Sequence, residues 1–352
     1  MVTKKTLFSR PALSIAAAAS LAGASLFVGQ SPSPTAAVPS QNTTQSVVTS
    51  DQPDEKYQGA VGSVLPSRAE IEYLTEEWDG KRDASGRPIV ADAILKRLEN
   101  VTIEQAWGYL REQEYTEQYA GNWKILHPGQ SIIGRVLTAQ YMPSSPGLES
   151  RMTKLGNDAG YDGHMNTWPI QMLEDGDVYV ADGFGKVKDG TLIGGNLGQD
   201  IYDKTGNGVI FNGTARDRQE LAAIDGFNAF VRGWHPSYIM NMMVSGVNTP
   251  IRIGRATVLP GDVVLAKRGG VVFIPAHMAE DLVRDAEETL LRDLFTKAMV
   301  EAGEYTSGEL DKEWTPAIIS DFVSWLKENK DDLPVAAKRV QEVIDEYAQE
   351  RS

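Results

Sequence analysis

An α/β core with parallel strand pairings is what this chain predicts, and three observations carry the expectation. Short β-rich runs recur along its middle: SIIGRVLTAQYM (131–142), GDVYVAD (176–182), GVIFNG (208–213) and NAFVRGW (228–234). Helix-like stretches, notably WPIQMLEDG and NLGQDIYDKTG, separate several of them, and strands that alternate with helices pack as a parallel sheet covered by its own crossovers. A later group, IRIGRATVLPGDVVLAKRGGVVFIP (251–275), strings short strands together through Gly and Pro-Gly turns with no helix between them. That is hairpin or barrel material, and it predicts a second, short-stranded β layer beside the core.

Helices flank this core on both sides. From Ser67 to Tyr115 the pattern is helical, in AEIEYLTEEW and then ADAILKRLENVTIEQAWGYLREQEY, with Thr102 and Glu104 giving a weak start signal. From Ala276 onward the chain is helical and acidic, and Pro334 sits where the first turn of the last helix tolerates it. Amphipathic packing or contacts between copies account for this tail.

The N-terminus reads as an export signal. Lys4, Lys5 and Arg10 precede an Ala/Leu-rich apolar run from Pro11 to Gly29, and Ala22-Gly23-Ala24 and Thr35-Ala36-Ala37 both suit a cleavage site. An uncleaved anchor is the alternative, because the run approaches spanning length. Residues 31–58 are rich in Ser, Thr, Pro and Gln, which is linker composition. The expected order is therefore a signal peptide (1–37), a disordered linker (38–60), an N-terminal helical region (61–125), an α/β domain (126–286) and a C-terminal helical extension (287–352).

Composition narrows the chemistry. The formal net charge of −14 disfavours nucleic acid as a direct partner, since phosphate backbones require clustered Lys and Arg. The chain has no cysteine, which excludes disulfides, thiolate catalysis and Cys-based zinc or iron-sulfur sites. A metal ion here must be hard and oxygen-bound, or held by some of His127, His164, His235 and His277. No Ser nucleophile elbow, H-E-x-x-H or Walker loop occurs.

One stretch stands out, GGNLGQDIYDKTGNGVIFNGTARDRQEL (194–221). Arg216 and Asp217 sit side by side where a strand-like run gives way to a helix-like one, about twenty residues after a glycine-rich turn. An arginine grips a carboxylate through two parallel hydrogen bonds. An adjacent aspartate suits Mg²⁺ or Mn²⁺, which use one or two protein carboxylates and keep several waters. Backbone amides at a glycine-rich helix start attract the same anion. A 2-oxo acid satisfies all three, and a metal ion there stabilises the enolate formed when a C–C bond beyond the ketone breaks.

Plainer readings compete. Asp217 followed three residues later by Glu220 also matches a capping box at a helix start. Asp203, Thr205, Asn207 and Gly208 mimic the opening of a calcium loop, but Thr214 stands where its closing Glu belongs, and a helix ending at Gly206 explains the match. His235, just after a strand, suits either a structural or a proton-transfer role, and His164 and Trp168 suit either a pocket wall or the core.

At these residues the sequence resembles the RraA-like family, which includes the regulator of ribonuclease activity A and the class II 4-hydroxy-4-methyl-2-oxoglutarate aldolases. GRVLTAQ, DGDVYVAD, GGNLG, GVIFNGTARD, FNAFVRGWHP, VLPGDVV and GVVFIP occur in the family's order, over roughly Leu126 to Ala286. The resemblance implies a swivelling β/β/α fold assembled as a homotrimer, or a hexamer built as a dimer of trimers, with sites at subunit interfaces. It implies that Gly194, Gly195, Asn196 and Leu197 bind substrate through backbone amides and that Arg216 binds it too. Asp217 would hold the divalent cation, Mg²⁺ or Mn²⁺, and Glu220 would orient water on it.

The resemblance further implies a lyase that cleaves a 2-oxo acid such as 4-hydroxy-4-methyl-2-oxoglutarate or oxaloacetate and releases pyruvate. The alternative is a non-catalytic exported binding or regulatory protein, since the regulator branch of the family inhibits ribonuclease E. One departure stands out. Ala266-Lys267-Arg268-Gly269 replaces an acidic residue frequent in the family before the GVVxxP strand. Glu287 and Glu288 lie in the region from which family aldolases lend an acid to a neighbouring subunit.

Overall fold

The computed structural model describes residues 64–349, so the expected export signal and the whole of the expected linker lie outside the described residues. Three helices come first: α1 (Arg68–Leu74), α2 (Asp92–Arg97) and α3 (Ile103–Glu112). α1 and α3 open on reciprocal capping boxes, Ser67 with Glu70 and Thr102 with Gln105, which satisfy two backbone N–H groups at each start. The start signal at Thr102 holds, although its partner is Gln105 and not Glu104.

Short strands β1 (Tyr119–Ala120) and β2 (Lys124–Ile125) lead into the long β3 (Ile132–Pro143), then α4 (Pro146–Asp158), α5 (Trp168–Gln171), β4 (Asp177–Asp182) and β5 (Thr191–Ile193). Next come α6 (Gly195–Thr205), β6 (Val209–Ala215), α7 (Arg218–Ala222), β7 (Ala229–Trp234) and β8 (Met242–Val247). The small hairpin β9 (Ile251–Ile253) and β10 (Ala256–Val258) precedes the larger one, β11 (Val263–Lys267) and β12 (Gly270–Ile274). Helices α8 (Ala279–Ala302), α9 (Ser307–Leu310), α10 (Pro316–Asn329) and α11 (Ala337–Gln349) close the described chain. Pro334 precedes α11 by three residues and does not open it, because α11 begins only at Ala337.

The main sheet runs β1-β12-β11-β3-β4-β6-β7-β2, with β8 added to β3 and β5 to β6. Its centre, β3-β4-β6-β7, is parallel, as the alternation of strands and helices predicts; β11, β12, β1 and β2 join it antiparallel. Side chains alternate across it with the period of two that a pleated strand imposes. Tyr179 and Ala181 face one core with Trp168, Ile201 and Leu221 from α5, α6 and α7, while Val178 and Val180 face another with Ile251, Ile253, Ala256 and Val258 of the small hairpin. Helices thus cover one face and a short-stranded β layer the other. Trp168 is fully buried in the helical-side core.

The helical flanks are fastened to this core by charge as well as by apolar packing. Arg87 is 4% exposed, and its Nε donates to Asp83 at 2.7 Å while its Nη2 donates to Asp177, at the start of β4, at 2.8 Å. Lys267, in the hairpin that departs from the family pattern, donates to the carbonyls of Glu99 and Val101 and so ties the α2–α3 connection to the β11–β12 turn. The first half of α8 packs on β11, β12, α2 and α3, and its second half joins α9, α10 and α11 in a separate aromatic core. There Phe295 meets Trp314 and Phe322 edge to face at 5.5 and 5.3 Å, contacts worth about 0.5–1.5 kcal/mol each.

Candidate active site

β5 and β6 run parallel, with Ile193 paired to Ala215, so their C-terminal ends deliver Gly194 and Arg216 side by side. Arg216 N donates to Ile193 O at 3.1 Å and locks the two turns together. The carboxyl ends of parallel strands are where the succeeding turns open outward in such folds. α6 starts at this point with Gly194 as its cap residue and no side chain to satisfy its first amides. Gly198 N is the first to bond within the helix, to Gly194 O, which leaves the N–H groups of Gly195, Asn196 and Leu197 directed out of its end.

Asp217 takes one of them. Gly195 N donates to its Oδ2 at 3.2 Å, and Arg216 Nε lies 3.4 Å from the same oxygen. Asp217 adopts a left-handed backbone, φ 52° and ψ 44°, which is uncommon and costly for a residue with a Cβ. That turn sends the carboxylate back to α6. Asp217 precedes α7 but makes no side-chain cap there, so the competing capping-box reading fails. Glu220 is also turned to α6, because a Cβ placed on Gly195 would collide with the Glu220 carboxylate. A Cβ on Gly194 would meet Asp217 and, at 2.9 Å, Arg216 Nε. Only glycine at both positions lets all three charged groups approach.

These groups line a cleft of about 270 Å³. Gly194, Asn196, Leu197, Arg216, Asp217 and Glu220, all singled out from the sequence, border it, and Gly195 lies directly beneath, buried against Glu220. Three further wall residues, Asn166, Tyr238 and Ile239, carry no motif in the sequence. Asn166 is buried; its Nδ2 donates to Leu192 O at 2.8 Å and its Oδ1 meets His164 Nδ1 at 3.1 Å. Tyr238 and Ile239 come from the loop after β7, which His235 shapes: its Nδ1 accepts from Ser237 N at 3.1 Å and lies 2.9 Å from Ser237 Oγ. An accepting Nδ1 puts the ring proton on Nε2. The structural role of His235 is therefore to hold this loop.

Among the described residues no three Asp, Glu or His side chains gather as a cage for a metal ion. Asp217, with Glu220 across Gly195, offers hard oxygen donors, a set that suits Mg²⁺ or Mn²⁺ completed by water and substrate and does not suit a closed tetrahedral zinc site. The calcium-loop mimic is explained by helix α6, which ends on a left-handed Gly206 while Thr205 Oγ1 returns to Ile201 O. Glu287 is bound by Arg97 through two hydrogen bonds of 2.6 and 2.7 Å, and Tyr347 donates to Glu288 at 2.7 Å. Both acids are engaged within their own chain.

The family model described as RraA-like: Aldolase/RraA matches residues 88–273, more than half of the 352. Protein DlpA of Legionella pneumophila is 25% identical over 181 residues, which cover 51% of this chain and 27% of DlpA, so the chain spans only about a quarter of that relative. The 4-hydroxy-4-methyl-2-oxoglutarate aldolase of Thermus thermophilus is 26% identical over 144 residues, 38% of this chain and 87% of the relative.

Two solved structures share the fold. One is an uncharacterized protein from Pseudomonas syringae pv. tomato, with a TM-score of 0.54 and 19% identity over 66% of this chain and 98% of that one. The other is Streptomyces coelicolor RraAS2, described as an unusual member of the RNase ES inhibitor RraA family, with a TM-score of 0.51 and 22% identity over 60% and 98%. At these identities the two establish the architecture alone. The family-model match over residues 88–273, which takes in the parallel sheet and the outer β layer, shows that this chain belongs to the RraA-like family.

Proposed function

We propose that the protein is a divalent-metal-dependent lyase that cleaves a C–C bond in a 2-oxo acid and releases pyruvate. The observation that carries this reading is the convergence of the first amides of α6, one of them held by Asp217, with the Arg216 guanidinium and the Asp217 carboxylate on one cleft. Arg216 and the amides of Gly195, Asn196 and Leu197 grip the substrate carboxylate and fix its plane. Asp217, with Glu220 beside it, would hold Mg²⁺ or Mn²⁺, and such an ion would supply the positive charge that stabilises an enolate. Relatives named as aldolases support the lyase class.

Export through the N-terminal signal, assembly as a homotrimer or hexamer with sites at subunit interfaces, and the lack of a nucleic-acid partner belong to the same proposal. They rest on the sequence pattern and the family resemblance. The test is pyruvate release from 4-hydroxy-4-methyl-2-oxoglutarate and oxaloacetate with Mg²⁺ or Mn²⁺. The expected result is a metal-dependent rate in the wild type that falls by about 10²-fold or more in Asp217→Ala. Equal metal-dependent rates in the two proteins would remove Asp217 from the mechanism.

A further inference from the structure

A second cavity, of about 360 Å³, lies away from the cleft. Segments of this one chain wall it: the end of α1 with the loop after it, the α3–β1 link, β10, the turn before β11, and the link from β12 to α8. The cleft opens beyond the last residues of β5 and β6. Asp262, in the floor of the second cavity, adjoins Val263, which pairs with Arg135 near the start of β3, and Arg135 pairs in turn with Asp177, the first residue of β4. The two cavities therefore sit at opposite ends of the parallel strands, and none of the residues assigned to the cleft lines the second one.

The acids of this cavity lack cations. Asp262 is 3% exposed, and its carboxyl rests on backbone amides: Leu259 N donates to Oδ2 at 2.8 Å, and Ala276 N makes a further bond. Burial pushes that carboxyl above its ordinary range, the response of an acid that loses water with no cation beside it. Glu77 stands exposed at the mouth, and no Lys or Arg lines the cavity among the described residues. Arg255 is spent on Glu117 at 2.6 Å, and Arg82, behind the wall, donates to Thr75 and to Trp78 O. Tyr115 and His277 are turned to each other at 3.5 Å. Burial, and then the fields of Glu77 and Asp262, hold the Tyr115 phenol above its ordinary range, so both carboxylates act on one point of the cavity.

Trp78 and Tyr115 add half-buried aromatic walls. The Trp78 ring is fixed, because Nε1 donates to Lys81 O at 2.8 Å and Gly80 packs so close to it that a Cβ there would clash. Aromatic faces beside carboxylates without counterions attract a cation. A bare metal ion does not suit the set, since among the described residues no three acid or His side chains gather. A cation that carries its charge on N–H groups suits separate oxygen acceptors better.

We propose that this cavity binds a small organic ammonium ion, a primary amine whose apolar body lies against Trp78 and Tyr115 and whose N–H groups are directed to the carboxylates of Asp262 and Glu77. The proposal is independent of the lyase reading.

Calorimetry on the full chain tests it with benzylammonium, and with benzyl alcohol and benzoate as neutral and anionic probes of similar shape. The expected result is one benzylammonium per chain, bound about tenfold or more tightly than either other probe. Asp262→Asn should weaken benzylammonium about tenfold, and Glu77→Gln, at an exposed position that leaves the fold intact, about threefold. Asp217→Ala, in the cleft, should leave its binding unchanged. Equal affinity for benzyl alcohol, undiminished binding in Glu77→Gln, loss of binding in Asp217→Ala, or no binding of benzylammonium to the wild type would each overturn the proposal.

Discussion

Replacing Gly195 by alanine separates the site from the fold. Gly195 begins α6 with its Cα packed against Glu220: a Cβ there would lie 3.0 Å from Glu220 Cβ and 3.1 Å from its Cδ, and would overlap its carboxylate. The carboxylate can swing away, but Glu220 Cβ cannot move unless α7 shifts. Alanine improves the helix by about 1 kcal/mol, and the forced shift costs about 1–3 kcal/mol, so net stability should fall by no more than roughly 2 kcal/mol. The site suffers more, because a displacement of about 1 Å in a positioned catalytic group costs about 10²-fold in rate, or about 2.7 kcal/mol of barrier. Urea unfolding and kcat/KM for pyruvate release measure the two effects on one preparation. Gly108→Ala, in α3 with open space around its Cβ, is the control, and it should gain up to about 1 kcal/mol with activity unchanged. Full activity in Gly195→Ala would refute the packing argument for that glycine.

Two further outcomes test the framework. Arg87→Leu strands Asp177, which is 2% exposed and keeps only Glu174 N as a donor, so urea unfolding should show a loss of about 3–5 kcal/mol, largely restored in Arg87→Leu with Asp177→Leu; an undiminished midpoint in the single variant would show that the pair does not anchor the N-terminal segment. Burial pushes the Asp262 carboxyl from its ordinary 3.8 up to about 8. A raised folded value means that its contribution is fully present below about pH 4 and is lost as pH rises through about 8. Asp262→Asn should therefore flatten the fall in stability across that window by up to about 1.4 kcal/mol per pH unit, and parallel pH profiles for the two proteins would contradict the burial argument.

The strands of the sheet centre were legible because each is a compact β-rich run bounded by glycine or polar residues. α4 was missed: its apolar contacts with the core, Leu148 and Met152 one turn apart, are only partly buried among polar neighbours, and Gly156 is its buried residue. β5 has three residues, too few for a period, and β8, MMVSGV, is a buried run that pairs with β3 across an irregularity between Gln140 and Tyr141. In the site, Arg216, Asp217, Glu220 and the glycine turn were legible because charged groups beside a glycine-rich helix start have a chemical use. Asn166 and Tyr238 reach the cleft only through tertiary packing. The left-handed turn at Asp217 was hidden as well, since an aspartate does not announce that backbone as a glycine does, and it decides between a helix cap and a residue aimed into the cleft.

Calorimetry with oxalate, a planar mimic of pyruvate enolate, tests the central claim most directly. Titrations into the wild type, Arg216→Ala and Asp217→Asn, each with and without Mg²⁺, should show binding to the wild type that requires the metal and disappears in both variants. Oxalate that binds the wild type equally well without metal, or that binds Arg216→Ala unchanged, would contradict the account.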